Sequence, residues 1–273
     1  MQWIYIIKSC CYADRWFNSQ YLINMKGQED VFKRFYDSFR NMDGHFHILE
    51  HRVPVEQQLN YFKYSNEIRK APLEISDDDC DQYAASLDSA ECPKDEKKRI
   101  LSVLASSKQV QAYRLLQKYV QNPDEELVNW AYMALMESRI TLESELSGEK
   151  QIYISTGLGG KGESIRFYAL VLSSEGKSFA EYQREIIEKE FGYFLSKNDC
   201  EIDRLTIGDK YVELVFLIPI RTDIKMLLED IIRECNVYGN FLSELYSVMN
   251  VKELTQSEVE QIVKKNENNQ TGG

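Results

Sequence analysis

The feature that most narrows what this chain can fold into is a change of hydrophobic period after Ser147-Gly148. Before it, apolar residues recur at steps of three and four, the helical spacing. After it, runs of β-branched and aromatic residues alternate with helical stretches. Ile152-Tyr153-Ile154 reads as a short strand and Ile165 to Leu172 as a longer one. Ser178 and Glu181 have the form of a capping box, opening a helix through about Leu195 with Ile186, Ile187, Phe191 and Phe194 inside. Glu201 to Ile207 and Tyr211 to Ile218 are two strands joined at Gly208-Asp209, a tight hairpin signal. Asp223 to Cys235 is a helix with Met226, Leu227, Ile231 and Ile232 inside, and Leu242 to Val251 is a further strand. Thr255 and Glu258 form a second capping box, opening a last helix through about Lys264.

From Ile165 the order is strand, helix, strand, strand, helix, strand. This is the split βαβ order of a ferredoxin-like sandwich. The expected class is therefore α+β, with a mainly helical part over residues 1–147 and a ferredoxin-like α+β domain over 148–265. The polar end, Asn266 to Gly273, has nothing to bury and is expected to be disordered.

The front reads less sharply. Trp3 to Ile7 is a short strand or a buried helix start. Gln28 to Arg40 is helical, with Val31, Phe32, Phe35, Tyr36 and Phe39 on one side, ended by Asp43-Gly44. Phe46 to Val53 is extended and stopped by Pro54. Val55 to Lys70 is a helix with Leu59, Tyr61 and Phe62 on its apolar side, closed by Pro72. Ser76 followed by Asp77, Asp78 and Asp79 is a helix start, with a capping hydroxyl and acids at the positive end of the dipole.

From Pro93 the signals sharpen. Ile100, Leu101, Val103 and Leu104 mark a helix with its proline near the first turn, and Lys108 to Val120 is the next. Asn122-Pro123-Asp124-Glu125 has the form of a capped start, followed by Leu127, Val128, Ala131, Leu135 and Met136. With Ala131 and Ala134 allowing close approach, the segment from about 94 to 146 resembles a HEAT-like helical pair, a shape that often presents a partner surface.

Composition limits the partners. The chain carries 33 Lys+Arg against 44 Asp+Glu, a formal charge of −11. No basic stripe offsets this, so nucleic acid is read as a disfavoured partner. No run approaches the ~18 apolar residues of a membrane span, and the start lacks the basic region of a secretory signal. Six cysteines, at 10, 11, 80, 92, 200 and 235, include no CxxC. Reduced thiols in a cytoplasm are the expectation.

Two clusters could carry chemistry. Gly157, Gly159 and Gly162 satisfy GxGxxG, but a strand follows where a dinucleotide site needs a helix N-terminus. Gly160-Lys161-Gly162 also lacks the Ser or Thr of a phosphate-binding loop. The loop is a connection between strands, or a mobile element whose amides and Lys161 touch an anion or a partner. All three histidines lie in one stretch, and on a strand His45, His47 and His51 would share a face. An HxH pair can bind zinc, and three protein ligands suit a catalytic zinc; surface or structural histidines are the alternative. Phe167 and Tyr168, adjacent on a central strand, point to opposite faces. One of them could stack a base, but the Lys and Arg such binding needs are sparse.

No nucleophile elbow, kinase signature or catalytic Cys–His pairing is legible. The reading that follows is a non-catalytic intracellular adaptor for a protein partner. The alternatives are a metal-binding protein or metal-dependent enzyme using His45, His47 and His51, and a small-ligand sensor working through the ferredoxin-like domain.

Overall fold

The structure, a computed structural model, describes residues 45–70, 75–147, 151–174 and 176–271. The expected elements at Trp3–Ile7 and Gln28–Arg40, Cys10 and Cys11, and the breaks at Asp43-Gly44 and Pro72, lie outside the described residues. The protein is α+β. Its two compact units divide at Gly157/Leu158.

In the first unit, strand β1 (His45–Ile48) pairs in parallel with β2 (Gln151–Ile154), Phe46 opposite Ile152 and Ile48 opposite Ile154. Composition groups β2 with the strands that follow it, but this pairing ties it to β1 and moves the division past Ser147-Gly148. Between the two strands run helices α1 (Val55–Lys70), α2 (Asp77–Asp88), α3 (Lys94–Ser106), α4 (Val110–Tyr119) and α5 (Val128–Ser147). Ser76 caps α2 as its sequence implies: the hydroxyl accepts from Asp79 N at 3.2 Å, and the Asp79 carboxylate accepts from Ser76 N at 2.7 Å. Over residues 94–146 the three helical stretches marked by periodicity are present as α3, α4 and α5. Ile100, Leu101, Leu104, Leu116, Ala131 and Ala134 are buried there.

Buried polar groups knit this unit. On α1, Tyr61 and Ser65 donate to Glu137 of α5 at 2.7 and 2.8 Å, and Arg69 pairs with the same carboxylate. Gln58 donates to the carbonyls of Val53 at 2.6 Å and Thr156 at 3.0 Å. α1 is thus held to α5 and to the chain beyond β2, its buried acceptors satisfied as burial requires.

The second unit is an antiparallel sheet in the order β7 (Leu242–Met249), β4 (Ser164–Ser173), β6 (Tyr211–Pro219), β5 (Glu201–Ile207). A short β3 (Gly160–Lys161) folds back on the start of β4. Helices α6 (Glu181–Lys197) and α7 (Ile224–Asn236) complete the interleaved split βαβ arrangement. Register sets the two faces. Phe167 lies opposite Phe216 and Ala169 opposite Leu214, while Tyr168 lies opposite Val215 and Leu170 opposite Glu213. Alternation sends Phe167, Ala169 and Phe216 to one side of the sheet. Ile187, Phe191 and Leu195 on α6, and Leu228, Ile231 and Ile232 on α7, are the buried stripes of its two helices. On the other side Tyr168, Leu170, Leu172 and Val215 pack with Leu254 and with Val259 and Ile262 of a last helix, α8 (Gln256–Thr271).

Three local expectations change. The Ser178/Glu181 box does not form. Phe179 N donates to Asp209 O at 2.7 Å and Gln183 accepts from Ala180 N at 2.9 Å, so α6 begins at Glu181. Met226 is 61% exposed, and Leu228 takes the inward place in α7. α8 continues to Thr271 rather than giving way at residue 266, because Asn266 donates to Ser173 O at 3.5 Å and Lys210 meets Glu267 at 2.7 Å. The Thr255/Glu258 box is present: Glu258 N donates to the Thr255 hydroxyl at 3.3 Å and Thr255 N to the Glu258 carboxylate at 2.8 Å. No helix among the described residues is long and apolar enough to cross a membrane.

Candidate functional site

Pro93 starts α3 so that Lys97 falls one turn in, on the inner side of the helix. Its side chain is only 6% exposed, and its ammonium lies 2.7 Å from Asp124 Oδ2. Tyr119, at the end of α4, donates to the same oxygen at 2.6 Å. These three groups border a cavity of about 400 Å³ within the first unit, walled also by Leu87, Asp88, Leu115, Lys118 and Asn122. At the exposed rim Lys118 and Asp88 stand 3.6 Å apart.

The electrostatics are balanced. The Lys97 ammonium, and then the Tyr119 hydroxyl, hold the Asp124 carboxyl below the usual range. Burial, with the hydrogen bond to Asp124, pushes the Tyr119 phenol up, so it stays a donor. The ammonium of Lys97 has three N–H donors, and Asp124 is its one side-chain acceptor among the described residues. A nearly buried cation with donors left over suits an oxygen-bearing ligand in the adjoining space. With two lysines against two aspartates, the cavity suits a small polar or zwitterionic molecule more than a highly charged one.

This site is not legible in the sequence. Asp124 looks like the acid of a helix start, yet it makes no capping bond. A 3₁₀ turn, Glu125–Leu127, intervenes before α5, and the carboxylate is drawn to Lys97 and Tyr119 instead. The one legible signal was a basic residue, Lys97, at a position the α3 periodicity assigns to the core.

The histidines go to separate partners. His45 is exposed on β1, while buried His47 meets Glu143 at 3.0 Å. His51 lies beyond the strand, bonded to Asn129 at 3.1 Å and stacked on Tyr132 with centroids 4.0 Å apart. Glu143 and Asn129 are 14 positions apart on α5, roughly 21 Å along its axis, so the expected common face does not form. Among the described residues no group of three His, Cys, Asp or Glu could hold a metal ion.

The glycine segment is an ordered hairpin. Gly157, Gly159 and Gly160 are buried, Arg166 N donates to Gly159 O at 3.0 Å, and Gly162 turns the chain at φ +57°. Lys161 meets Glu201 on β5 at 2.7 Å. Phe167 and Tyr168 are both buried, one on each face of the sheet. Burial pushes the Cys200 and Cys235 thiols up to about 12, which makes them poor nucleophiles.

No protein-family model matches the chain, and no curated protein matches it. Among solved structures, a candidate transposase from Deinococcus radiodurans is similar over 39% of this chain and 95% of its own, at 14% identity and a TM-score of 0.35. A REP-associated tyrosine transposase bound to a REP hairpin is similar over 37% of this chain and 62% of its own, at 10% identity and a TM-score of 0.29. These descriptions stand against two expectations: that the chain is a non-catalytic adaptor for a protein partner, and that nucleic acid is a disfavoured partner. Likenesses this weak assign no activity in their place.

Proposed function

We propose that the first unit binds a small polar molecule in the cavity beside Lys97, Tyr119 and Asp124. One observation carries the reading: the Lys97 ammonium, on a side chain 6% exposed, keeps N–H donors for an oxygen of the occupant. Lys118 and Asp88 at the rim add one charge of each sign, which favours a ligand bearing both an acceptor such as carboxylate and a donor such as amine or hydroxyl. This cavity belongs to the helical unit, and neither the glycine segment nor the histidines line it.

A thermal-shift screen of small hydroxy acids, amino acids and amino sugars tests it. A ligand at a hundredfold excess over its dissociation constant adds about 2.7 kcal/mol of stability, enough to raise the melting temperature by a few degrees. The expected result is at least one such compound whose shift disappears in Lys97→Met. A panel with no binder, or a shift that survives the substitution, removes the proposal.

A further inference from the structure

We infer that α8 is a releasable lid over a polar centre on the second face of the ferredoxin-like sheet. The two sides of the sheet are covered unequally. α7 buries six side chains, Ile224, Leu227, Leu228, Ile231, Ile232 and Cys235. α8, longer at 16 residues, buries Val259 and Ile262 and half-buries Val263. The rest of its sequence is Glu, Gln, Lys, Ser, Asn and a final Thr, so its apolar hold on the sheet is one narrow stripe. Among the described residues its polar ties are shallow: Asn266 donates to Ser173 O at 3.5 Å, the Lys210–Glu267 pair has both side chains about one-third exposed, and Lys252 pairs with Glu258 at the first turn. A helix held this way sits at the low end of the local stabilities of its domain.

What lies beneath is not a plain apolar face. Tyr168, fully buried on β4, donates to Glu213 of β6 at 2.8 Å. Arg204 on β5 lies in the same cross-strand row as Tyr168 and Val215 and reaches Glu253, in the segment that leads into α8, at 2.6 Å. Glu213 is 9% exposed and stands opposite Leu170. Burying a carboxylate is costly, and an apolar side chain there would pack the face equally well. The sheet therefore keeps a hydrogen-bonded acid and phenol beneath a weakly held helix, with the half-exposed Arg204 guanidinium at their edge. Release of α8 opens that surface to a ligand while α6 and α7 hold the domain together from the other side.

Hydrogen exchange on the full chain, with hydroxyl-radical footprinting of Tyr168, Leu170 and Leu172, tests this. The expected result is that amides of α8 exchange about tenfold or more faster than those of α7. In the Val259→Asp/Ile262→Asp double variant the amides of β4 and β6 should stay protected while oxidation of Tyr168 rises severalfold. The lid is overturned if α8 exchanges as slowly as α7, if Tyr168 stays unreactive in the double variant, or if the sheet loses protection together with α8.

Discussion

Glu137 shows how much one side chain decides in this molecule. It is 3% exposed and takes bonds from Tyr61, Ser65 and Arg69, all on α1. Removing one partner of a buried ionic group leaves the others unsatisfied and commonly costs about 3–5 kcal/mol. Glu137→Ala should lose about 3 kcal/mol in urea denaturation, and a loss under about 1 kcal/mol would mean water replaces the carboxylate. Tyr168→Phe should cost less, about 1–2 kcal/mol, because it strips a single donor from buried Glu213. The residue scale is also where the sequence was least legible. Nothing in the spacing of Tyr61, Ser65 and Arg69 announces a carboxylate about seventy positions away. Lys97 and Asp124 likewise look like ordinary helix-start charges until the fold brings them within 2.7 Å.

The elements were more legible, because caps and periodicity are local. Ser76 and Thr255 open their helices as their neighbours imply, and Gly208-Asp209 joins β5 to β6. Thr255→Ala should destabilise α8 by about 1 kcal/mol, read as faster exchange of its amides relative to α7. The same cap carries a pH dependence. Burial pushes the Glu258 carboxyl up, but Lys252 together with the N–H and hydroxyl of Thr255 outweighs this and holds it below its ordinary value. A folded value below the unfolded one contributes stability that is full above the ordinary glutamate value of about 4.3 and is lost as pH falls through the lowered value. α8 should therefore loosen relative to α7 between about pH 5 and pH 3, and Glu258→Gln should flatten that dependence. The failures at this scale have tertiary causes. The Ser178/Glu181 box loses to the bond between Phe179 N and Asp209 O, which fixes the chain before α6.

At the scale of the whole molecule there are two cores. One is built from α1 to α5 with β1 and β2, the other from the antiparallel sheet and its helices. Leu101→Ala, at a fully buried position of α3, should cost about 3 kcal/mol through the cavity it leaves. Its effect on hydrogen exchange should fall on α3 and α5 and leave β4 and β6 unchanged. Loss of protection in both places would show that the two units unfold as one.

The sequence alone determined the α+β class, the strand and helix order from Ile165 onward, and most helix starts. These depend on alternation, turn residues and caps, and all act within a few residues. Tertiary structure decided the rest. It paired β2 with β1 across a hundred residues, sent His47 and His51 to different partners on α5, and laid α8 on the second face of the sheet. It also turned the Asp124 of an apparent helix start into the acceptor for Lys97. Each depends on a partner distant in sequence, through strand pairing for β2, an apolar cluster for α8 and polar groups for the rest, and a one-dimensional pattern does not carry that choice.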